Sequence, residues 1–347
     1  MYKKIYIADI LSHTYQGKST GHYFAVARNY QEMFSDRVVV AGGPVYKTGF
    51  IGDNLLPLPY NSGGGGIKGR LKTFSNARKL FKEAEGQVIV LQQCTTITTF
   101  LCIAFFYHRK SRLFMIQYNR EGFRSKLGNL LFKLAKRKLD GIICPNDMVG
   151  EAFQGVPYCV VPDYIYTGDA SQQGKPYSDR KYDFCIVGRL SPEKGAVEVA
   201  KYIARTVYKL VIAGKPQSED LANELREACA NATNIELHLG LIPDEDYYSY
   251  IHNSKYAFLN YSGEYSERSS GVVFDTLFNG VPVVGRRCKA LQFIEDDGLG
   301  IVDDDIMALD IPLLMNKEYH SQLLENIQSY RKNQRKYIDI LNHFIKP

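Results

Sequence analysis

Short apolar runs rich in Val, Ile and Tyr recur along the chain, and segments long enough for a helix separate them. In the first half of the chain these runs occupy residues 2–9, 36–41, 87–92, 112–117, 140–144 and 158–161. Runs of this length and composition predict buried strands. Their alternation with helical segments favours a mostly parallel sheet covered by helices.

The same alternation begins again after a segment rich in Gly, Ser, Pro and Asp, which we interpret as a linker over residues 167–180. Strands are predicted there near residues 183–187, 208–213, 235–238, 256–260 and 282–284. The pattern predicts an α/β protein with two Rossmann-like domains, 1–166 and 181–317, facing each other across a cleft. Ligands of such sheets bind outside the carboxyl ends of the strands. Residues 318–347 form a polar helical segment that is a candidate to pack back on the first domain.

Composition limits the class of protein. Of the 347 residues, 45% are hydrophobic and 23% are charged, which is typical of a soluble globular chain. The longest apolar run, from Ile97 to Tyr107, is shorter than the ~20 residues of a bilayer-spanning helix. The N-terminus enters a strand pattern at once, so we expect no signal peptide. Seven cysteines without a CxxC pair fit a reducing cytoplasm.

Positive charge is concentrated in the first half of the chain. Lys and Arg minus Asp and Glu give +11 for residues 1–165 and −5 for residues 166–347. Two segments, 68–82 and 123–138, carry much of the excess. We expect them to bind an anionic membrane surface. A merely solvated helix face remains an alternative, and nucleic acid is disfavoured because no reader motif is present.

The second basic segment predicts an amphipathic helix with separate faces. One stripe of this helix is predicted to contain Phe123, Leu127, Leu130, Leu131 and Leu134, and the other, basic stripe to contain Lys126, Lys133, Lys136 and Arg137. Phe132 falls near the basic side, so we expect it to point outward towards the membrane.

The first candidate site follows the first strand of the second domain. That strand ends at Gly188, and Arg189 and Lys194 then flank a Ser-Pro turn before a helix. Two cations at the carboxyl end of a strand can converge on one anion, and a pyrophosphate fits. An ordinary loop with solvated charges is the alternative.

The second candidate site is the segment EYSERSSGVVFDTLFNG. Glu267 lies in its loop, and Asp275 lies just over a turn into the following helix. We expect the N–H groups of Gly271, Val272 and Val273 to be free at the helix start, where they favour an anion. Carboxylates on either side of a phosphate site predict a nucleoside diphosphate sugar. A surface acid at Glu267 and a solvated Asp275 are the alternative.

A resemblance to a known family is carried by four segments: GRLSPEKG (188–195), VIAGK (211–215), LGLIPDEDYYSYIHNSKYAFLNYS (239–262) and ERSSGVVFDTLFNGVPVV (267–284). In order and spacing they resemble the retaining glycosyltransferases of family 4, of the bacterial polysaccharide and glycolipid type. That family has the GT-B fold. The resemblance is strong over residues 183–290, whereas the N-terminal half shares only the general layout.

The resemblance implies roles for individual residues. Arg189 and Lys194 are expected to bind the donor phosphates, Glu267 the hydroxyls of the donor sugar, and Asp275 the ribose. Backbone near Gly188, Ser270, Gly271 and Val272 is expected to line the donor site, with the base held near Gly214, Gly240, Leu241 and Ile242. Two departures weaken the sugar and ribose assignments. Asp275 replaces a Glu, and Ser269-Ser270-Gly271 replaces Gly-Phe-Gly.

The first domain is expected to supply the acceptor side. Gly17 and Gly21 precede its first helix and would let backbone approach the donor phosphates. Many family members have a His at the end of a later strand, where this chain has Gln117 or Tyr118. Asn119 and Arg120 follow as acceptor contacts, and an ordinary surface loop is the alternative.

The acidic triplet Asp244-Glu245-Asp246 is interpreted as a helix start with Asp244 as N-cap, and not as a metal site. We expect neither a metal nor a cofactor besides the nucleotide sugar.

These features predict a retaining, metal-independent glycosyltransferase of the hexosyltransferase type. It would transfer sugar from a nucleotide donor to a lipid-linked or growing-glycan acceptor, as a peripheral protein at the inner face of the membrane. A nucleotide-sugar epimerase of the same fold and a non-catalytic nucleotide-sugar-binding subunit are the alternatives.

Overall fold

The structure is a computed structural model that describes residues 4–15, 18–19, 21–62, 66–92, 97–118, 126–170, 174–267 and 270–346. Its first strands are β1 (Ile5–Asp9), β2 (Thr14–Tyr15), β3 (Lys18–Ser19), β4 (Val38–Gly42), β5 (Leu55–Pro57), β6 (Val88–Gln92), β7 (Arg112–Ile116), β8 (Gly141–Cys144) and β9 (Tyr158–Val160). The accompanying helices are α1 (Gly21–Phe34), α2 (Gly66–Glu83), α3 (Ile97–Phe106), α4 (Lys126–Ala135) and α5 (Asp147–Glu151).

The alternation resumes at Tyr182. The later strands are β10 (Tyr182–Val187), β11 (Leu210–Gly214), β12 (Ile235–Leu239), β13 (Ser254–Leu259), β14 (Val283–Arg286) and β15 (Gly300–Asp303). The later helices are α6 (Ala196–Ile203), α7 (Glu219–Cys229), α8 (Asp244–His252), α9 (Gly271–Phe278), α10 (Gln292–Asp296), α11 (Ile311–Leu314), α12 (Lys317–Asn333) and α13 (Arg335–Ile345). The short strands β5 and β15 and the β2–β3 hairpin lie outside the strands predicted from the sequence, because each has few apolar residues.

The chain forms two compact units. The first domain contains residues 1–167 and 334–347, and the second domain contains residues 168–333. The C-terminal segment predicted as one piece is therefore divided between them. Helix α12 buries Leu323 and Ile327 in the core of the second domain, whereas α13 buries Leu341 and Ile345 in the core of the first.

Part of the segment predicted as a linker is packed against the second domain. The buried guanidinium of Arg180 donates hydrogen bonds to the carbonyl oxygens of Lys175, Ser254 and Gly280, at 2.9, 2.6 and 3.0 Å. A buried cation needs such acceptors, because desolvation without hydrogen bonds is costly. Residues 175–180 are thus fixed to the second domain.

In the first domain, the described residues form a seven-stranded parallel sheet in the order β5-β4-β1-β6-β7-β8-β9. Side chains alternate between its two faces: Val88 and Val90 enter one apolar cluster, and Ile89 and Leu91 enter the other. Burial on both faces explains the continuous apolar runs in the sequence.

In the second domain, the described residues form a six-stranded parallel sheet in the order β12-β11-β10-β13-β14-β15. This is the order of a doubly wound sheet, and it reverses direction between β10 and β13. The prediction of two Rossmann-like domains is confirmed. Ligands of such sheets bind at the reversal point, beyond the carboxyl ends of the strands.

The packing of α13 into the first domain generates a stability prediction. Leu341→Ala removes a side chain that is 1% exposed, and we expect the free energy of unfolding to fall by about 2–5 kcal/mol. The neighbouring Ile340 is 44% exposed, so Ile340→Ala is the matched control, with an expected change of about 0.5 kcal/mol or less. Urea unfolding followed by circular dichroism measures both. Equal losses in the two variants would contradict the assignment of α13 to the core.

Candidate functional site

The two sequence motifs of the second domain meet at the reversal point of its sheet. Residues 188–195 follow β10, and residues 260–267 follow β13, the strand beside it. The backbone N–H of Ser262 donates to the carbonyl oxygen of Glu193 at 2.8 Å, which ties the two loops together. Gly195 has a φ of +62° and lies so close to Asn260 that a Cβ would be 2.4 Å from its side-chain nitrogen. Glycine therefore permits this contact.

Three glycines line the carboxyl ends of adjacent strands. Gly188 follows β10, Gly214 is the last residue of β11, and Gly240 follows β12. The N–H of Gly240 donates to the carbonyl of Gly214 at 2.9 Å, and a Cβ at Gly214 would lie 1.7 Å from the carbonyl oxygen of Gly188. A side chain is thus sterically excluded at Gly214. We call the edge of the sheet formed by these three glycines the floor of the site, because glycine lets a ligand approach the backbone closely. Leu241, which is 60% exposed, and the half-buried Ile242 continue from Gly240.

Lys194 is a buried cation without a described anionic partner. Its residue is 6% exposed, and its Nζ lies 5.1 Å from the ring centroid of Tyr265. Among the described residues, nothing accepts a hydrogen bond from this ammonium group or forms an ion pair with it. Burial first, and the positive charge of Arg189 second, lower the pKa of Lys194 to about 8. Both causes oppose the charged form, and a bound anion would counter both.

Arg189 is the second cation of the site and is exposed to solvent. It follows Gly188, whose φ is +93°, so the chain turns sharply as it leaves β10. The effect of Arg189 on the pKa of Lys194 places the two charges within electrostatic range of each other. The structure therefore brings together the two cations that the sequence singled out.

The start of α9 lies against the same floor. A Cβ at Gly188 would be 3.3 Å from Cγ2 of Val272. The expectation of three free N–H groups is wrong for Val273, because its N–H donates to the carbonyl of Ser270 at 3.0 Å. Gly271 and Val272 supply the remaining N–H groups of this helix start. Ser270 is buried, and its Oγ lies 2.8 Å from the hydroxyl of Tyr261, which holds the segment before the helix.

Asp275 lies on the first turns of α9, and the pKa of its carboxyl group is raised. The hydroxyl of Tyr247, on α8, donates to its Oδ2 at 2.8 Å. Burial raises the pKa of Asp275 to about 6, although the Tyr247 hydrogen bond opposes that rise. Sequence reasoning missed Tyr247, since it is one of several tyrosines in the run YYSYI and its spacing carries no signal.

The acidic triplet begins α8 as expected, but Asp244 is not its N-cap. Pro243 occupies that position, with extended backbone, and Asp244 is the first helical residue. The capping assignment is therefore wrong, while acids in a first turn still suit the helix dipole. In the part of the chain that the structure describes, no three His, Cys, Asp or Glu residues are grouped as metal ligands.

The candidates in the first domain lie at the carboxyl end of β7. Gln117 is fully buried, and its N–H donates to the carbonyl of Ile143 at 2.8 Å. Neither side-chain amide atom of Gln117 has a hydrogen-bond partner among the described residues. Tyr118 is also buried, and its ring centroid lies 4.5 Å from that of His22. Burial raises the pKa of the Tyr118 hydroxyl far above its ordinary value.

Most of the remaining residues predicted for the site lie wholly or partly outside what the structure describes. Gly21 begins α1. Gly17, Asn119 and Arg120 lie outside the described residues. Glu267 ends a short turn over residues 263–267, and its side chain also lies outside what the structure describes.

The second domain is similar in sequence to a known family, and the whole chain is similar in structure to solved proteins. Residues 169–302 match the family described as glycosyl transferases group 1. A search of curated protein sequences returned no significant match. Among solved structures, HepE of Anabaena in complex with UDP-glucose aligns at a TM-score of 0.66 and 14% identity, over 98% of each chain.

Two further structures show the same architecture. AviGT4, a glycosyltransferase involved in avilamycin A biosynthesis, aligns at a TM-score of 0.61 and 12% identity, over 99% of this chain and 98% of the other. A TarM variant from S. aureus, in complex with fondaparinux, α-GlcNAc-glycerol and UDP, aligns at 0.60 and 15% identity, over 79% of this chain and 59% of the other. The chain therefore has the fold of the GT-B glycosyltransferases, and its second domain is similar to glycosyl transferases group 1.

The Tyr247–Asp275 hydrogen bond generates a prediction for the ligand-free protein. Tyr247→Phe removes a hydrogen bond that stabilises the charged carboxylate, so the pKa of Asp275 should rise further above about 6. An increase of about one pH unit corresponds to ~1.4 kcal/mol. NMR of a ¹³C-labelled carboxyl group measures it. Tyr248→Phe, next in the chain, is the matched control. An unchanged titration of Asp275 in Tyr247→Phe would exclude the proposed contact.

Proposed function

We propose that the protein is a retaining, metal-independent glycosyltransferase. It transfers a hexosyl group from a nucleoside diphosphate sugar to a lipid-linked or growing-glycan acceptor at the cytoplasmic face of a membrane. One observation carries the proposal: the buried Lys194 ammonium has no described anionic partner at the point where the sheet of the second domain reverses. The UDP-glucose and UDP complexes of structural neighbours support this reading.

A diphosphate meets the electrostatic requirement of the site. Its negative charge would stabilise the protonated form of Lys194 and offset the repulsion from Arg189. The N–H groups of Gly271 and Val272 add donors at the positive end of α9. Two cations and a helix start supply the positive charge that a divalent metal supplies in other phosphate sites, and this is the basis for proposing metal independence.

Asp275 is suited to the ribose. Tyr247 occupies Oδ2 of its carboxylate, which leaves Oδ1 to accept a hydrogen bond from a sugar hydroxyl. The carboxylate accepts such a bond best when it is ionised. Glu267 is proposed, from the family resemblance alone, to bind hydroxyls of the donor sugar.

Catalysis would depend mainly on stabilising the leaving group. As the glycosidic bond to the diphosphate breaks, charge accumulates on the phosphate oxygens that Arg189, Lys194 and the start of α9 would contact. In the retaining reaction the departing phosphate oxygen accepts the proton of the acceptor hydroxyl, so no protein base is needed there. The buried, unpartnered amide of Gln117 is proposed to bind a hydroxyl of the reacting sugar. Tyr118, Asn119 and Arg120 remain predicted acceptor-side residues.

The donor class can be identified first by thermal shifts with UDP-, GDP-, dTDP- and ADP-sugars. A ligand at 100 times its Kd stabilises the native state by about 2.7 kcal/mol. We expect one base to give a clear upward shift in Tm. A panel without any shift would contradict the proposal.

Replacing either cation should reduce turnover of the identified donor. For Arg189→Ala and Lys194→Ala we expect losses of about 10²–10³ in kcat, since each removes a contact to the developing charge. The exposed Arg205 lies in the same domain, so Arg205→Ala is the matched control. Donor consumption is measured with and without an acceptor extract, because an epimerase would convert the sugar without an acceptor. Wild-type rates in both site variants would exclude these roles.

The pKa of Lys194 predicts a pH dependence of donor binding. Above about pH 8 the ligand-free protein loses the Lys194 proton, so affinity should fall by up to about tenfold per pH unit. Calorimetric titration at pH 7 to 9.5 measures this decline, and Lys194→Ala should bind weakly without it. In the ligand-free protein the sign is opposite. The folded pKa lies below the ordinary value of 10.5, so the Lys194 contribution to the free energy of unfolding increases between about pH 8 and 10.5.

A further inference from the structure

Helices α2, α3 and α4 lie side by side over one face of the first sheet and share one apolar cluster beneath them. We define their outer surface as the three-helix face. It exposes six large apolar side chains: Ile67, Leu71, Phe105, Leu127, Leu130 and Leu134. Ile67 is 77% exposed and Phe105 is 64% exposed. Scattered exposed apolar residues are ordinary, but a group on adjacent helices marks an interaction surface.

The structure corrects part of the sequence prediction for α4. Phe132 and Leu131 are buried, and the Phe132 ring packs 5.5 Å from Phe100 and 5.7 Å from Phe153. The prediction that Phe132 points outward is therefore wrong. The predicted leucine stripe is divided, because Leu131 is buried whereas Leu127, Leu130 and Leu134 are exposed. The period of α4 gives two apolar stripes, and contact with α3 selects the one containing Phe132.

Leu127, Leu130 and Leu134 form the outward stripe of α4, at intervals of three and four residues. Their exposed fractions are 54%, 57% and 44%. Residues at this spacing share one side of a helix. No other described element covers them, so the stripe faces solvent.

Exposed positive charge surrounds these apolar residues. The exposed basic side chains on α2, α4 and the turn after α4 are Lys68, Arg70, Lys72, Arg78, Lys82, Lys126, Lys133 and Arg137. Other lysines serve the fold. Lys79 donates to the carbonyl of Pro57 at 2.8 Å, Lys136 to that of Gln154 at 3.1 Å, and Lys138 to those of Ala104 and Tyr107. The segment from Lys126 to Lys138 contains no acidic residue.

We infer that the three-helix face binds an anionic lipid bilayer, with Leu127, Leu130 and Leu134 inserted among the acyl chains near the headgroups. A helix with leucines flanked by Lys and Arg lies in such an interface and gains both apolar burial and charge attraction. A second copy would bring like charges together. Nucleic acid would satisfy the cations but leave the leucines exposed to water. Over the part of the chain that the structure describes, none of the helices combines the length and the apolar character of a membrane span.

The inference makes the acceptor more specific, and this step rests on the proposed function. A transferase whose first domain inserts into a bilayer receives its acceptor from that bilayer. An amphiphilic, lipid-linked acceptor is therefore favoured over a soluble growing glycan.

The test is co-sedimentation of the full-length chain with vesicles of phosphatidylcholine alone or with 30 mol% phosphatidylglycerol. We expect at least tenfold tighter binding to the anionic vesicles, and weaker binding as salt increases. The triple variant Leu127→Ser, Leu130→Ser, Leu134→Ser should bind at least tenfold more weakly. The double variant Lys133→Glu, Arg137→Glu should lose most of the preference for anionic lipid.

A matched control removes three exposed apolar residues from the second domain: Val207→Ser, Met307→Ser and Leu313→Ser. It should bind vesicles like the wild type. Circular dichroism and Tm verify that every variant folds. Equal binding to neutral vesicles, or unchanged binding of the leucine variant, would overturn the inference. The inference would also be overturned if the wild-type chain failed to bind vesicles but formed a dimer or an RNA complex that the leucine substitutions abolish.

Binding of the identified donor nucleotide in solution separates this inference from the proposed function. The leucine variant should retain wild-type donor affinity, because the substitutions lie outside the second domain. Vesicle binding by a wild-type chain that binds no nucleotide sugar would contradict the proposed function and leave the three-helix face as a membrane surface. Donor binding without vesicle binding would contradict the membrane inference and leave the proposed function standing.

Discussion

The second domain buries the ammonium group of Lys194 beside a second cation, Arg189, and this electrostatic arrangement is unfavourable for the ligand-free protein. Burial and the charge of Arg189 both weaken the protonated form of Lys194. The fold maintains this strain because the loop after β10 is fixed by hydrogen bonds to the loop after β13. An anion bound at this position would relieve the strain, and this is the physical basis of the proposed donor site.

The topology of the sheet explains why the strain arises at this position. Strand β10 pairs with β11 on one side and β13 on the other, and the connections leave in opposite directions. Gly188, Gly214 and Gly240 lie at the edge of the space that opens there, and they have no side chains to fill it. A ligand can therefore lie against main-chain groups while Lys194, Arg189 and Asp275 approach from the surrounding loops and helix.

The two domains carry different chemistry on the same architecture. The second domain places its candidate functional groups at the carboxyl ends of its strands, where a helix start and two side chains with shifted pKa values suit the proposed small anion. The first domain places its excess positive charge on the outer surfaces of helices. There the charges are solvated and spread over three elements, which suits an extended anionic partner better than a small one. The positive charge of the first domain is thus spread over a helical surface, whereas the two cations of the candidate site in the second domain lie together at the end of one strand.

The sequence by itself determined the repeated strand and helix pattern, because parallel strands buried on both faces appear as continuous apolar runs. It also determined the positions of Arg189, Lys194 and Asp275, since each follows a strand or helix start at a recognisable spacing. Tertiary structure alone decided three other matters. Packing against α3 decided which stripe of α4 is buried. The approach of α8 to α9 brought Tyr247 to Asp275, across 28 residues of sequence. The C-terminal segment was divided, so that α12 packs in the core of the second domain and α13 in the core of the first. Each depends on contacts between elements distant in sequence, and a local pattern of residues contains no information about which face a neighbour will cover.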